Sequence, residues 1–268
     1  MKRFFLFLLG LIFTISAFAQ KTTVAVGAVD GGNGVGSDNT ALLRTQIISG
    51  LAKFPRLNVI DVKNLGLSLS NLKLESLSEY NVDYLVTANI QSITKSYSTK
   101  DGRTTYKAEL KYSVTITDTR TGQVSGTKNE THYGTSSSSY SDAVDNAYSL
   151  IDTDMKSVVN NYFRIVANIV SVDEANAKKG VISFYIDAGG DQGVTTNTNF
   201  DVYRVVEVAG QQVHKSVGTA KSKEISGGSL TLCKVTKGGK DIQAAIDNEE
   251  PLVVVSKPGA FDSFIDAL

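Results

Sequence analysis

Apolar residues follow two kinds of pattern along this chain, and the change between them falls near residue 164. The first run, Thr23–Val29 (TVAVGAV), is short, β-rich and closed by glycines, as a buried strand should be. Leu43, Ile47, Leu51 and Phe54 then recur at three- and four-residue steps. They predict a helix over Thr40–Phe54, stopped by Pro55 and capped by Ser37, Asp38 or Asn39. Leu57–Val62 reads as a returning strand, so the chain opens in a βαβ-like manner. A short helix is expected within Ser68–Tyr80, and a strand over Asp83–Thr94.

Thr105–Asp118 alternates strictly. Tyr106, Ala108, Leu110, Tyr112, Val114 and Ile116 fall on one face and polar residues on the other, the pattern of an antiparallel strand with one wet side. Asp101-Gly102 and Thr119–Gly122 supply turns before and after it, and a third strand is expected over about Gln123–Tyr133. With Ser139 or Ser141 near its cap, one long helix should run over Ser141–Phe163. Its stripe is Val144, Ala147, Leu150 or Ile151, Met155, Val158 or Val159, and Tyr162, which predicts that it lies on the sheet.

After Phe163 the texture changes. RIVANIVSV, GVISFYID, NFDVYRVVEV, VHKSVGTAKSKEI, LTLCKV and PLVVVS are short β-rich runs separated by glycine-rich turns, with one brief helix in KDIQAAIDNEE. The expected fold class is α+β: an N-terminal α/β sandwich with a mixed sheet and packed helices over residues 20–164, then a small β-rich barrel or sandwich over residues 165–258. Residues 259–268 read as a tail.

The start of the chain changes the picture of where it works. Lys2 and Arg3 precede an apolar run from Phe4 to Ile15, and Ala17-Phe18-Ala19 is a small-x-small pattern. These are the parts of an export signal over residues 1–19, with cleavage between Ala19 and Gln20. No Cys follows the run, so the usual lipid attachment after cleavage is not expected, and the protein is placed in the periplasm. Cleavage leaves roughly 250 residues, enough for one large or two modest domains. The full chain carries 27 Lys+Arg and 27 Asp+Glu; without the leader the balance is about −2. That balance gives no overall drive toward nucleic acid or anionic lipid.

Candidate chemistry is sparse. The loop Asp30–Asn39 (DGGNGVGSDN) lies between a strand and a helix, where phosphates are often cradled. Gly32 and Gly34 fit the first two positions of a dinucleotide fingerprint, but Ser37 takes the third. Gly31 and Gly36 have P-loop spacing, but Ser37 and Asp38 stand where lysine and a hydroxyl are needed. The loop is therefore read as a turn, without nucleotide. His132 reads as an exposed strand-end residue and His214 as a surface strand residue; neither has a nucleophile pattern beside it. Cys233 reads as a small buried hydrophobe. Asp187, Asp191, Asn197, Asn199 and Asp201 cluster around a turn; they lack the order of a calcium loop and its terminal Glu and are read as turn chemistry, with a weak calcium site as the alternative. No catalytic residue, metal ligand or cofactor is assigned.

The order of elements brings a resemblance into view. The strand VAVGAV, the helix LLRTQIISGLAKF running into LNVIDV, the pair VDYLVTANI and YSVTITDTRTGQV, and the helix DAVDNAYSLI resemble the CsgG-type domain of curli production, assembly and transport, over residues 21 to about 163. The amino-terminal domain of TolB and the lipoprotein activators of penicillin-binding proteins are similar at this level. GVISFYIDAGGDQGV, NFDVYRVVE and PLVVVSKP resemble the carboxy-terminal domain of FlgT. These resemblances imply a non-enzymatic envelope protein acting in assembly or transport at the outer membrane. Envelope or secreted proteins are the implied partners, and nucleic acid is not. A homo-oligomer and peripheral membrane association stay open. The alternative is a lipid-inserted subunit of an oligomeric secretion channel, since the family includes one; a hydrolase is the remaining class. Two departures weigh against the channel. Gln20 stands where the channel carries its lipidated Cys, and KSYSTKDGRTT and SGTKNETHYGTSSSS are polar where a membrane strand needs a lipid-facing side.

Overall fold

A computed structural model describes residues 21–257. The export signal with its cleavage point at Ala19–Gln20, and the tail 259–268, lie outside the described residues. The chain forms a mixed sheet with helices over its first part and a closed barrel over its second, an α+β arrangement.

The first strand, β1 (Thr22–Gly31), buries Val24, Ala25 and Val26 completely or nearly so. It is followed by helix α1 (Ser37–Ala52), strand β2 (Leu57–Asp61) and a four-residue helix α2 (Glu75–Ser78). Three antiparallel strands follow: β3 (Tyr84–Lys100), β4 (Arg103–Asp118) and β5 (Val124–Ser136). The sheet order is β2-β1-β3-β4-β5, with β1 parallel to both of its neighbours. A parallel return needs a crossover, and α1 is the crossover between β1 and β2.

Two helices, α3 (Tyr140–Tyr148) and α4 (Ile151–Tyr162), lie with α1 on one face. Leu43, Ile47 and Leu51 of α1 meet Val24, Val26 and Val86 of the sheet there, with Met155 and Val158 of α4 in the same core. Each such side chain contributes about 1.5–3 kcal/mol on burial. The opposite face of β1 and β3 is covered by the segment running through α2, which packs Val62 and Leu77 onto Ala25 and Leu85.

The barrel comprises β6 (Val166–Asn176), β7 (Gly180–Ile186), β8 (Asn199–Val208), β9 (Gln211–Ile225), β10 (Thr231–Lys237) and β11 (Leu252–Ser256), closed in the order β10-β7-β6-β11-β8-β9. Closure, rather than a two-sheet sandwich, leaves no open edge. Helix α5 (Gly239–Asp247) packs on β7 and β9 and sends Ile242 into the barrel core beside Phe184, Phe200 and Cys233. The helix-covered core of the sheet and the core of the barrel are separate: Phe163 belongs to the first and Ile165 to the second.

Several local expectations need correction. Helix α1 begins earlier than its apolar stripe, with Gly36 at the N-cap and no side-chain cap. Ser37, Asp38 and Asn39 therefore lie inside the first turn, where Asp38 meets the positive end of the helix dipole. Within Ser68–Tyr80 only four residues are helical. The Asp83–Thr94 strand continues to Lys100, because β4 pairs with it all the way to Lys100–Arg103 around the Asp101-Gly102 turn. Both turn residues have positive φ, 51° and 74°, as a two-residue hairpin requires.

The single long helix is two. The Ser149 hydroxyl bonds back to the Asn146 carbonyl, and the Leu150 N–H turns to Ala147, three residues back. That tightening ends α3 and re-aims the chain. The stripe survives the break, with Ile151 buried and Leu150 exposed. Ser139 caps α3, accepting from the Asp142 N–H at 3.1 Å.

Candidate functional site

The sheet ends in a polar region that the apolar pattern hides. Alternate residues of β5 face the helices: Gly126, Lys128, Glu130, His132 and Gly134. Small or charged residues there would leave a poor core, so α4 answers with polar groups of its own. Asp154, 7% exposed, accepts a hydrogen bond from the Tyr112 hydroxyl, and its Oδ2 lies 2.5 Å from His132 Nε2. One turn on, the Ser157 hydroxyl is bonded by Lys128, whose ammonium is also 3.2 Å from Glu130. Tyr112, Asp154 and His132 thereby tie β4, α4 and β5 together.

His132 is thus not an exposed strand end. It sits well inside β5 with its side chain 13% exposed. The sequence signal that could have found it is the alternation in register with Lys128 and Glu130, which runs inward on an edge strand. A His–Asp pair can orient a nucleophile, but the hydroxyl in reach is that of Tyr112. Burial, and then the Asp154 charge, push its ionisation well above the ordinary tyrosine value. A hydroxyl so disposed stays protonated and serves as a donor, a structural tie.

Glycines let the helices come this close. A Cβ at Gly134 would lie 1.8 Å from the Ala143 carbonyl oxygen, and one at Gly126 would lie 2.1 Å from the Tyr162 ring.

The other side of the same strands is open. On β5, Thr127, Asn129, Thr131 and Tyr133 are exposed, and Val124 and Tyr133 are 60% and 67% exposed. Tyr133 stands opposite Glu109 on β4, and Glu109 pairs with Lys111 at 2.8 Å. That pairing holds the Lys111 ammonium above the ordinary lysine value. Among the described residues β5 pairs with β4 alone, so its far edge continues into no further strand there. The β3–β4 hairpin continues past the end of β5, and Thr94–Lys100 are all exposed, with Tyr97 at 67%.

The glycine loop does not form a phosphate cradle. Its main chain is drawn onto the sheet, with the Gly32 N–H bonded to the Ile90 carbonyl at 2.8 Å, and a Cβ there would lie 2.7 Å from the Gln91 carbonyl oxygen. The acidic and amide residues around the barrel turn are held apart. Asp187 bonds Asn168, Asp201 pairs with Lys257, and Asp191 lies against the Gly228 backbone. Among the described residues no group of three or more His, Cys, Asp or Glu converges as a metal site would require. His214 is exposed on β9, and Cys233 is fully buried, with burial pushing its thiol up to about 12.

Arg56 lies where sheet and barrel meet. Its Nε donates to the Phe163 carbonyl at 2.9 Å, and its Nη2 to Asn160 Oδ1 at 3.3 Å. These acceptors sit at the negative end of α4, which stabilises a half-buried cation without a carboxylate. Burial brings its ionisation down to about 10.

No protein-family model matches this chain, and no curated protein matches it. Among solved structures it is similar in part to a PelC dodecamer from Paraburkholderia phytofirmans: 18% identity, 51% of this chain and 88% of that one covered, TM-score 0.33. It is also similar to the lipoprotein GNA1162 from Neisseria meningitidis, at 12% identity, 52% and 99% coverage and a TM-score of 0.38. The LpoB C-terminal domain from Salmonella enterica is a third, at 9% identity, 42% and 82% coverage and a TM-score of 0.28. At these scores none of the three says what this chain binds or does. Among the described residues no helix is long and apolar enough to cross a membrane.

Proposed function

We propose that this is a non-enzymatic protein of the cell envelope, of the CsgG type, acting in assembly or transport at the outer membrane through protein–protein contact. The observation that carries the reading is the open side of the β4–β5 pair. It joins the outer edge of a thirteen-residue strand, beside which no further strand lies among the described residues, to an exposed tyrosine and a charged pair on one face. A free edge can accept a strand from a partner, and main-chain bonds then supply affinity while side chains such as Tyr133 supply selectivity. Tyrosine is a favoured anchor in such contacts, because it combines a large apolar ring with a polar tip.

The reading is tested with a photo-crosslinking amino acid in the exported chain. Placed at Tyr133 it should give one dominant adduct, to an envelope protein or a second copy; placed at Glu249, on the barrel, it should give none. Equal adducts from both positions, or none from Tyr133, would overturn the contact. Stepwise ion conductance from the purified mature chain in planar bilayers would overturn it in favour of a channel subunit.

A further inference from the structure

The barrel carries a concentration of charge that the contact surface on the sheet leaves unexplained. Lys178 and Lys179, in the turn between β6 and β7, Lys234 and Lys237 on β10, and Lys240 in the first turn of α5 line one depression of about 400 Å³. They do so in a chain whose basic and acidic residues are equal in number, 27 each. One carboxylate, that of Asp241, lines the same hollow. Among the described residues none of the five lysines is in an ion pair. Lys234 also stands directly across from Lys221 of β9, and like charges in that position destabilise a sheet.

At the hollow main chain packs against main chain. A Cβ at Gly239 would lie 2.6 Å from the Lys179 carbonyl oxygen, and one at Gly180 would lie 2.3 Å from that of Gly239. The segments bearing Lys179 and Lys240 are therefore held together at their main chains. The apolar residues that line the hollow offer little to a lipid interior: Val181 is buried, and Ile182 and Val235 are half-buried.

We propose that this lysine-rimmed hollow binds an anion bearing two or more linked phosphate groups, free or as a headgroup. Five ammonium groups around one concavity exceed what a single phosphate neutralises, and attraction between exposed charges weakens with salt. The site lies on a different domain from the sheet edge and does not depend on the proposed contact there.

The test is calorimetric titration of the full mature chain with sodium tripolyphosphate at low salt, beside the variant K178Q/K179Q/K237Q/K240Q. Co-sedimentation with vesicles of phosphatidylcholine, alone or mixed with phosphatidylglycerol and cardiolipin, separates the two sources. Saturable binding by either probe, weakened at least tenfold in the variant, is the expected result. Sedimentation with the mixed vesicles alone would assign the anion to a headgroup; tripolyphosphate binding without sedimentation would assign it to a free ligand. Binding of neither probe, or binding weakened less than tenfold in the variant, overturns the proposal. Should the variant not fold, amide shifts of the native chain on adding tripolyphosphate decide it. Shifts centred on Lys179, Gly180, Gly239 and Lys240 uphold the site, and shifts centred elsewhere sink it.

Discussion

Asp154 shows how much one side chain can hold. Its carboxylate accepts from a buried tyrosine and contacts a histidine across the sheet edge, so Asp154→Ala leaves the Tyr112 hydroxyl buried without a partner. A loss of about 2–3 kcal/mol is expected in urea unfolding, against about 1 kcal/mol for Tyr112→Phe, which removes the donor while Asp154 keeps its contact with His132. Arg44 is a second case. Its guanidinium is buried, bonds the carbonyls of Val26 and Gly27, and pairs with Asp61. The Arg44 hydrogen bond holds the Asp61 carboxyl below the usual carboxylate range. A lowered carboxyl stabilises the fold above its unfolded pKa, and the gain fades as pH falls. Native stability should therefore drop below about pH 4, and Arg44→Met should flatten that drop while costing about 3 kcal/mol at neutral pH. Cys233 has the opposite sign. Its thiol is raised from 9.0 to about 12, so its contribution is full below pH 9 and is lost as pH rises toward 12. Disulfide reagents should not label it in the native protein and should label it fully in denaturant.

At the level of strands and helices, the closest fit is α3 on β5. Gly134→Ala would drive a Cβ into the Ala143 carbonyl, and the helix would have to lift. A loss of about 3 kcal/mol is expected, with faster hydrogen exchange in α3 than in α1. The contrast between β4 and β5 explains what could be read in advance. Tyr106 through Ile116 alternate because one face of β4 is buried in the core and the other meets water. The inward positions of β5 are Gly126, Lys128, Glu130, His132 and Gly134, which carry no apolar period although the strand is just as regular. Its partners, Asp154 and Ser157, lie on a helix more than twenty residues further along, so His132 looked exposed. The break between α3 and α4 was hidden for a related reason: the stripe runs straight through it, and a single serine hydroxyl bonding backward ends the first helix.

As a whole, the described residues form two main cores joined through Phe163–Ile165, with a smaller cluster of Ala25, Val62, Leu77 and Leu85 on the other face of the sheet, and Arg56 ties the end of α4 beside the junction. Neither core shares a side chain with the other, so calorimetry should resolve two unfolding transitions. Arg56→Ala frees the end of α4 and should lower the sheet transition by several degrees, leaving the barrel transition in place. The six barrel runs, the βαβ-like opening and the apolar stripes of α1, α3 and α4, though not the break between α3 and α4, are legible in residue order, because short-range periodicity reflects which side of an element is dry. Apart from the hairpin neighbours β3–β4 and β4–β5, the pairing partners, the closing of six strands into a ring, the open side of β4–β5 and the gathering of five lysines around one hollow are not. Each of these depends on residues distant in the chain being brought within a few ångströms, and local pattern carries no information about which distant residues those are.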